Sequence, residues 1–93
     1  MEKDTGNTRV TLVGIIVEDK EAAGRINGLL HEYGEYIIGR MGIPYREKSI
    51  NIISIAIDAP QDVISSLSGK IGRLKGVSAK TAYSNVITKA EEK

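Results

Sequence analysis

Two segments of this chain, residues 10–17 and 50–58, carry aliphatic side chains on both of their alternating faces. In the first, Val10, Leu12 and Ile16 point one way and Val13, Ile15 and Val17 the other. In the second, Ile53, Ile55 and Ile57 oppose Ile50, Ile52 and Ala56. A strand with one wet face alternates apolar and polar residues, so these two read as inner strands with both faces dry. The composition points the same way. With 14 Ile and neither Phe nor Trp, the core has to be aliphatic and β-branched, which favours a sheet over a helix bundle. Ninety-three residues suffice for one domain with a modest core.

The remaining elements follow from periodicity and punctuation. Asp19 is a candidate N-cap for a helix whose apolar stripe is Ala22, Ala23, Ile26, Leu29, Leu30 and Tyr33. Gly34 stands where a left-handed C-terminal cap is expected. Gly24 and Gly28 lie inside the helix and are read as points of close packing against the sheet. Residues 36–43 form a strand in which Gly39 and Gly42 predict a bulge or bend, with Pro44 at its end. Residues 46–49 turn this strand back into 50–58 as a hairpin. Pro60 opens a second helix with a stripe of Val63, Ile64, Leu67, Ile71 and Leu74. Gly76 ends that segment, and 77–87 alternates as a fourth strand.

The predicted order is βαββαβ, an α+β ferredoxin-like fold with two helices on one face of a four-stranded sheet. The first and third strands are expected side by side at the centre, parallel, with the second and fourth at the edges. Residues 9–88 make the single domain, between flexible ends at 1–8 and 89–93. Whichever face meets the helices, several aliphatic side chains remain on the other. A patch of that size marks an interface, so a homo-oligomer is expected, with Val13, Ile15, Val17, Ile50 and Ile52 as candidate contacts.

Chemistry is sparse. The chain has no Cys and a single His, His31, which excludes disulfides, thiolate metal sites and cysteine nucleophiles and leaves no ligand set for zinc, nickel or iron. The serines at 65, 66 and 68 lack a nucleophile elbow and read as a solvated helix face. Without an acid–base or nucleophile constellation, no enzyme and no cofactor is expected. Thirteen Lys and Arg against twelve Asp and Glu leave a net charge of +1, a poor match to nucleic acid for the isolated chain. The polar first eight residues and the short apolar runs predict neither export nor membrane insertion, hence a cytoplasmic protein. The segment 36–46 stands out, with two Arg, two Tyr, two Gly and a Pro on an edge strand. Arg40, Tyr45 and Arg46 are its candidate contacts for a carboxylate or phosphate, with Asp19 and Gly14 shaping the nearby turn after the first strand.

The stretches GIIVED at 14–19, HEYGEYIIGRMGIPYREK at 31–48 and GKIGRLKGV at 69–77 carry a resemblance. From about Arg9 to Ser84 the chain resembles the iron-only hydrogenase system regulators. That resemblance implies an ACT-like ferredoxin fold, related to the ligand-binding half of the nickel-responsive repressors, and a bacterial, cytoplasmic setting near hydrogenase maturation. ACT-type modules generally pair through their sheets and bind small effectors at subunit boundaries. The turn EDKE at 18–21 lacks the Pro and Gly found there in many amino-acid-binding modules, and the His and Cys ligands of the nickel repressors are missing. The expected function is a regulatory small-molecule-binding module that works as a homo-oligomer with a small anionic effector. The alternatives are an adaptor docking a hydrogenase maturation protein, or a DNA-binding regulator acting only as an assembled oligomer, through a basic patch of Arg40, Arg46, Lys48, Lys70, Arg73 and Lys75.

Overall fold

The structure is a computed structural model and describes residues 7–89. The chain runs β1 (Thr8–Val17), α1 (Ala22–Glu32), β2 (Ile37–Tyr45), β3 (Ile50–Ala59), α2 (Gln61–Gly72) and β4 (Val77–Thr88), the βαββαβ order expected. Single 3₁₀ turns, Gly34–Tyr36 and Arg46–Lys48, precede and follow β2. The sheet order is β2-β3-β1-β4, so the two aliphatic strands do occupy the centre. The expected flexible ends lie mostly outside the described residues, and Thr8, placed with them, is the first residue of β1.

One expectation about the sheet fails. β1 and β3 are antiparallel, as are all adjacent pairs. A helical crossover returns β2 parallel to β1, but the hairpin then reverses the chain. β3, inserted between them, therefore opposes both.

Register settles which side is covered. Directly paired residues share a face. Val13 pairs with Ile55 and Ile15 with Ile53, and all four are buried under the helices with Val17, Ile57 and Ala59. Ile26 and Leu30 of α1 and Ile64, Leu67 and Ile71 of α2 complete this aliphatic core. Val13, Ile15 and Val17 are thus core residues and not interface contacts, because the helices dock on their side. Ile50 and Ile52 lie on the opposite, open face, half-buried beside their own neighbours.

The glycines also sort differently from expectation. Gly34 is not left-handed; it opens the 3₁₀ turn that leads α1 into β2. Gly24 and Gly28 have open space where a Cβ would stand, so close packing does not explain them. The left-handed glycine is Gly76, at φ +76° between α2 and β4. The predicted irregularity in β2 is present as a register shift between Ile37 and Gly39.

The helices are tied to each other at one polar point. The Tyr33 hydroxyl lies 2.8 Å from Ser66 Oγ, and Lys70 Nζ sits 5.1 Å from the Tyr33 ring centre and 3.7 Å from Glu32. The Lys70 ammonium, helped by the Ser66 hydroxyl, holds the Tyr33 phenol below its ordinary pKa. The Tyr33 contact and Glu32 hold Lys70 above its own. Burial raises Tyr36, and the hydrogen bond to Glu47 raises Tyr45. A tyrosinate absorbance titration should therefore show Tyr33 ionising ahead of Tyr36 and Tyr45, with the early step lost in Tyr33→Phe and delayed in Lys70→Met. The contribution of the ionised pair to stability grows as pH rises through the lowered Tyr33 pKa. It disappears when Lys70 deprotonates above its raised one. An unchanged early step in Lys70→Met would rule out this pairing.

Candidate functional site

Three loops meet at one end of the sheet: the β1–α1 turn, the β2–β3 hairpin tip and the α2–β4 turn. Their geometry is set by local backbone chemistry. Asp19 is not the N-cap of α1, which is Glu21; instead its Oδ1 accepts the Glu21 amide at 3.0 Å and its carbonyl accepts the Ala22 amide at 2.9 Å. The Glu18 amide donates to the Gly76 carbonyl at 2.7 Å and so fastens this turn to the α2–β4 turn. At the hairpin tip, Ser49 adopts the left-handed conformation (φ 55°) that closes the 3₁₀ turn back into β3.

Between the β1–α1 turn and the hairpin tip lies an open concavity of about 330 Å³, lined by Lys20, Pro44, Tyr45, Arg46 and the Ser49–Asn51 stretch that includes Ile50. Lys20 and Arg46 are both exposed, and among the described residues neither has an ion-pair partner. Two uncompensated cations facing one hollow attract an anion, and the guanidinium offers a bidentate fork to carboxylate or phosphate. The Tyr45 hydroxyl donates to Glu47 Oε1 at 2.6 Å, so Tyr45 presents its ring to the hollow while its hydroxyl is already engaged.

Of the five predicted contacts, the structure brings together only Tyr45 and Arg46. Arg40 projects from the helix-side edge of β2, where its Nη2 donates to Asn27 Oδ1 at 3.1 Å; with His31 and Ile37 it borders a separate groove. Two positions along a strand, or four, keep a face, but the six from Arg40 to Arg46 cross the end of β2 into the turn. Asp19 borders a third groove, with Arg25 and Lys75. Gly14 does not shape the turn at all: it lies in the middle of β1, paired with Ser54 and Lys80 on the open face. Lys20 was missed. Nothing local in the sequence singles it out, because its partners arrive from residues 44–51, across the sheet. Among the described residues no group of three His, Cys, Asp or Glu is placed to hold a metal ion.

Fold and site together define a small α+β module of the ferredoxin-like type, with a basic hollow at the loop end and an aliphatic open face. Residues 9–81 match the TM1266-like family, described as "Iron-only hydrogenase system regulator, putative", and the chain belongs to that family. Among solved structures it is similar to the uncharacterized protein TM1266 from Thermotoga maritima. The two are 42% identical with a TM-score of 0.78, over 82% of this chain and 96% of that one. It is also similar, at 12% identity and a TM-score of 0.61, to part of a formyltetrahydrofolate deformylase from Pseudomonas putida KT2440. That likeness covers 83% of this chain but 30% of the deformylase, and shows the fold alone. No curated protein matches.

Proposed function

We propose that this protein is a cytoplasmic sensory module of the hydrogenase regulator family that binds a small anionic effector between the β1–α1 turn and the β2–β3 hairpin. The observation that carries this reading is the pair of uncompensated cations, Lys20 and Arg46, facing one hollow beside an aromatic ring. An effector of amino-acid, dicarboxylate or phosphate size fits a hollow of about 330 Å³. Its carboxylate or phosphate lies between the two cations and its body rests on Tyr45 and Ile50. Such contacts are exposed to solvent, so affinity falls as salt rises.

The measurement is thermal unfolding against a panel of amino acids, dicarboxylates, inorganic phosphate and nucleotides. A ligand at about 100 times its Kd adds about 2.7 kcal/mol of stability, a rise of several degrees or more in a chain this small. The shift is expected to vanish in Lys20→Ala and Arg46→Ala, which remove no core contact. A flat panel, or a shift that survives both substitutions, would refute the reading. The DNA-binding alternative draws less support. Its six basic residues sit on β2, the hairpin tip, α2 and the α2–β4 turn, with Lys70 already paired to Glu32.

A further inference from the structure

Charge is unevenly spread along this chain. Between Gln61 and Lys89 stand five cations, Lys70, Arg73, Lys75, Lys80 and Lys89, against a single carboxylate, Asp62. Residues 18–47 reverse the balance, with six carboxylates against four cations. The overall near-neutrality therefore hides a basic side, carried by α2 and β4. Two of these cations lie near carboxylates: Lys70 pairs with Glu32, and Lys75 borders a groove with Asp19 and Glu21. Lys80 and Lys89 are exposed, on and just past β4, and among the described residues neither has an ion-pair partner.

That side is also an open sheet edge, since β4 pairs with β1 alone. From Val77 to Tyr83 it keeps unbroken register with β1, and the irregularity comes only beyond Tyr83. Over this stretch alternate residues turn amide and carbonyl groups away from the sheet, where a further strand would bond them. No proline interrupts it. Ser78, Ala79, Thr81 and Ala82 are short, so only Lys80, on the open face beside Gly14, stands tall before Tyr83. Beyond the irregularity, Arg9, Gln61, Ile87 and Lys89 border a hollow of about 210 Å³ with Asn7 and Thr8. Two cations and no carboxylate line it. The Arg9 guanidinium stands 5.9 Å from the centre of the Tyr83 ring, and Gln61 Nε2 donates to the Tyr83 hydroxyl at 3.0 Å.

We infer that β4 is the docking edge for an extended acidic segment of another protein. The segment adds as a strand along Val77–Tyr83, and its carboxylates meet Lys80 on the open face and Arg9 and Lys89 at the far end. Main-chain bonds supply affinity in this mode of recognition, and side chains supply selectivity. A second copy of this chain does not fit. Its edge strands are β2, which carries Arg40 and no carboxylate, and β4 itself, which carries Lys80 and none. Either brings more positive charge to a positive edge, and like charges oppose pairing. A lysine on an edge strand guards against self-pairing, and the same charge draws an acidic strand. The inference is independent of the effector reading, whose hollow adjoins the opposite edge strand.

The test is fluorescence anisotropy of the full chain with a labelled peptide of strand length, in which pairs of Glu alternate with pairs of Val. Saturable binding is expected, weakening as salt rises. Lys80→Glu combined with Lys89→Glu, both at exposed positions, should weaken it about 10-fold or more, with circular dichroism unchanged. Lys20→Ala and Arg46→Ala should leave it as in wild type, which separates this edge from the effector hollow. Peptides N-methylated at every second residue, in either phase, distinguish strand addition from charge attraction. One phase should lose binding and the other keep it. The amides of residues 77–83 should exchange more slowly in the complex. No binding, or equal behaviour of the two methylated peptides, overturns the inference. So does displacement of the peptide by a single-stranded oligonucleotide at comparable concentration, which would give the basic side to nucleic acid.

Discussion

Replacing Gly76 with alanine is expected to cost about 2–5 kcal/mol of folding stability, far more than its place in a surface turn suggests. Two effects add. At φ +76° an L-residue pays about 1–2 kcal/mol for the left-handed conformation. The new Cβ would also stand 2.5 Å from Asp19 Cβ and 3.1 Å from the Asp19 amide nitrogen, an overlap of the kind that costs about 1–3 kcal/mol. Asp19 cannot move aside cheaply. Its carbonyl and carboxylate hold the first turn of α1, and the preceding Glu18 amide is bonded to the Gly76 carbonyl itself. Urea unfolding should show the loss as a lower midpoint with an unchanged slope. In an Asp19→Gly background, which has already lost the carboxylate bond to the Glu21 amide, Gly76→Ala should cost less, because the Cβ–Cβ overlap is gone while the left-handed penalty and the approach to the residue 19 amide remain. A loss below about 1 kcal/mol would mean that the two turns are not fastened as the distances indicate. The consequence reaches the basic hollow, because Lys20 rides on the same turn. Gly76→Ala should therefore weaken effector binding without touching Arg46.

The contrast between Gly34 and Gly76 shows what local sequence does and does not reveal. Both follow a helical stripe, and a left-handed glycine is the commonest way to end one. Gly76 is the obligatory one, for its φ of +76° and for the close approach of Asp19, distant in sequence, at the same end of the sheet. Element order, the hairpin and the β2 irregularity were legible because they rest on periodicity and on Gly and Pro within a few residues. The covered face was harder, since β1 and β3 are aliphatic on both sides. One signal was available. Gly14, Ser54 and Asp58 fall on the parity of Leu12 and Ile52, whereas Ile53, Ile55, Ile57 and Ala59 run unbroken. The interruption by small and polar residues identifies the open side. The antiparallel arrangement of β1 and β3 was also derivable, from counting reversals along βαββαβ. The basic hollow was only half legible: Tyr45 and Arg46 are neighbours in sequence, whereas Lys20 joins them through tertiary structure.

The same parity yields a second strong contrast, between two isoleucines three positions apart on β3. Ile55 is fully buried beneath the helices, paired with Val13, in an aliphatic core whose only buried ring among the described residues is Tyr33. Ile55→Ala should cost about 2–5 kcal/mol, the transfer of the lost atoms plus the cavity they leave. A 93-residue domain has roughly 5–14 kcal/mol in all, so this one change removes a large share of it. Ile52, on the open face, should cost only about 1 kcal/mol when truncated, because part of its side chain already meets water and no helix packs over it. Urea unfolding of the two alanine variants separates these cases. Equal losses would contradict the assignment of faces.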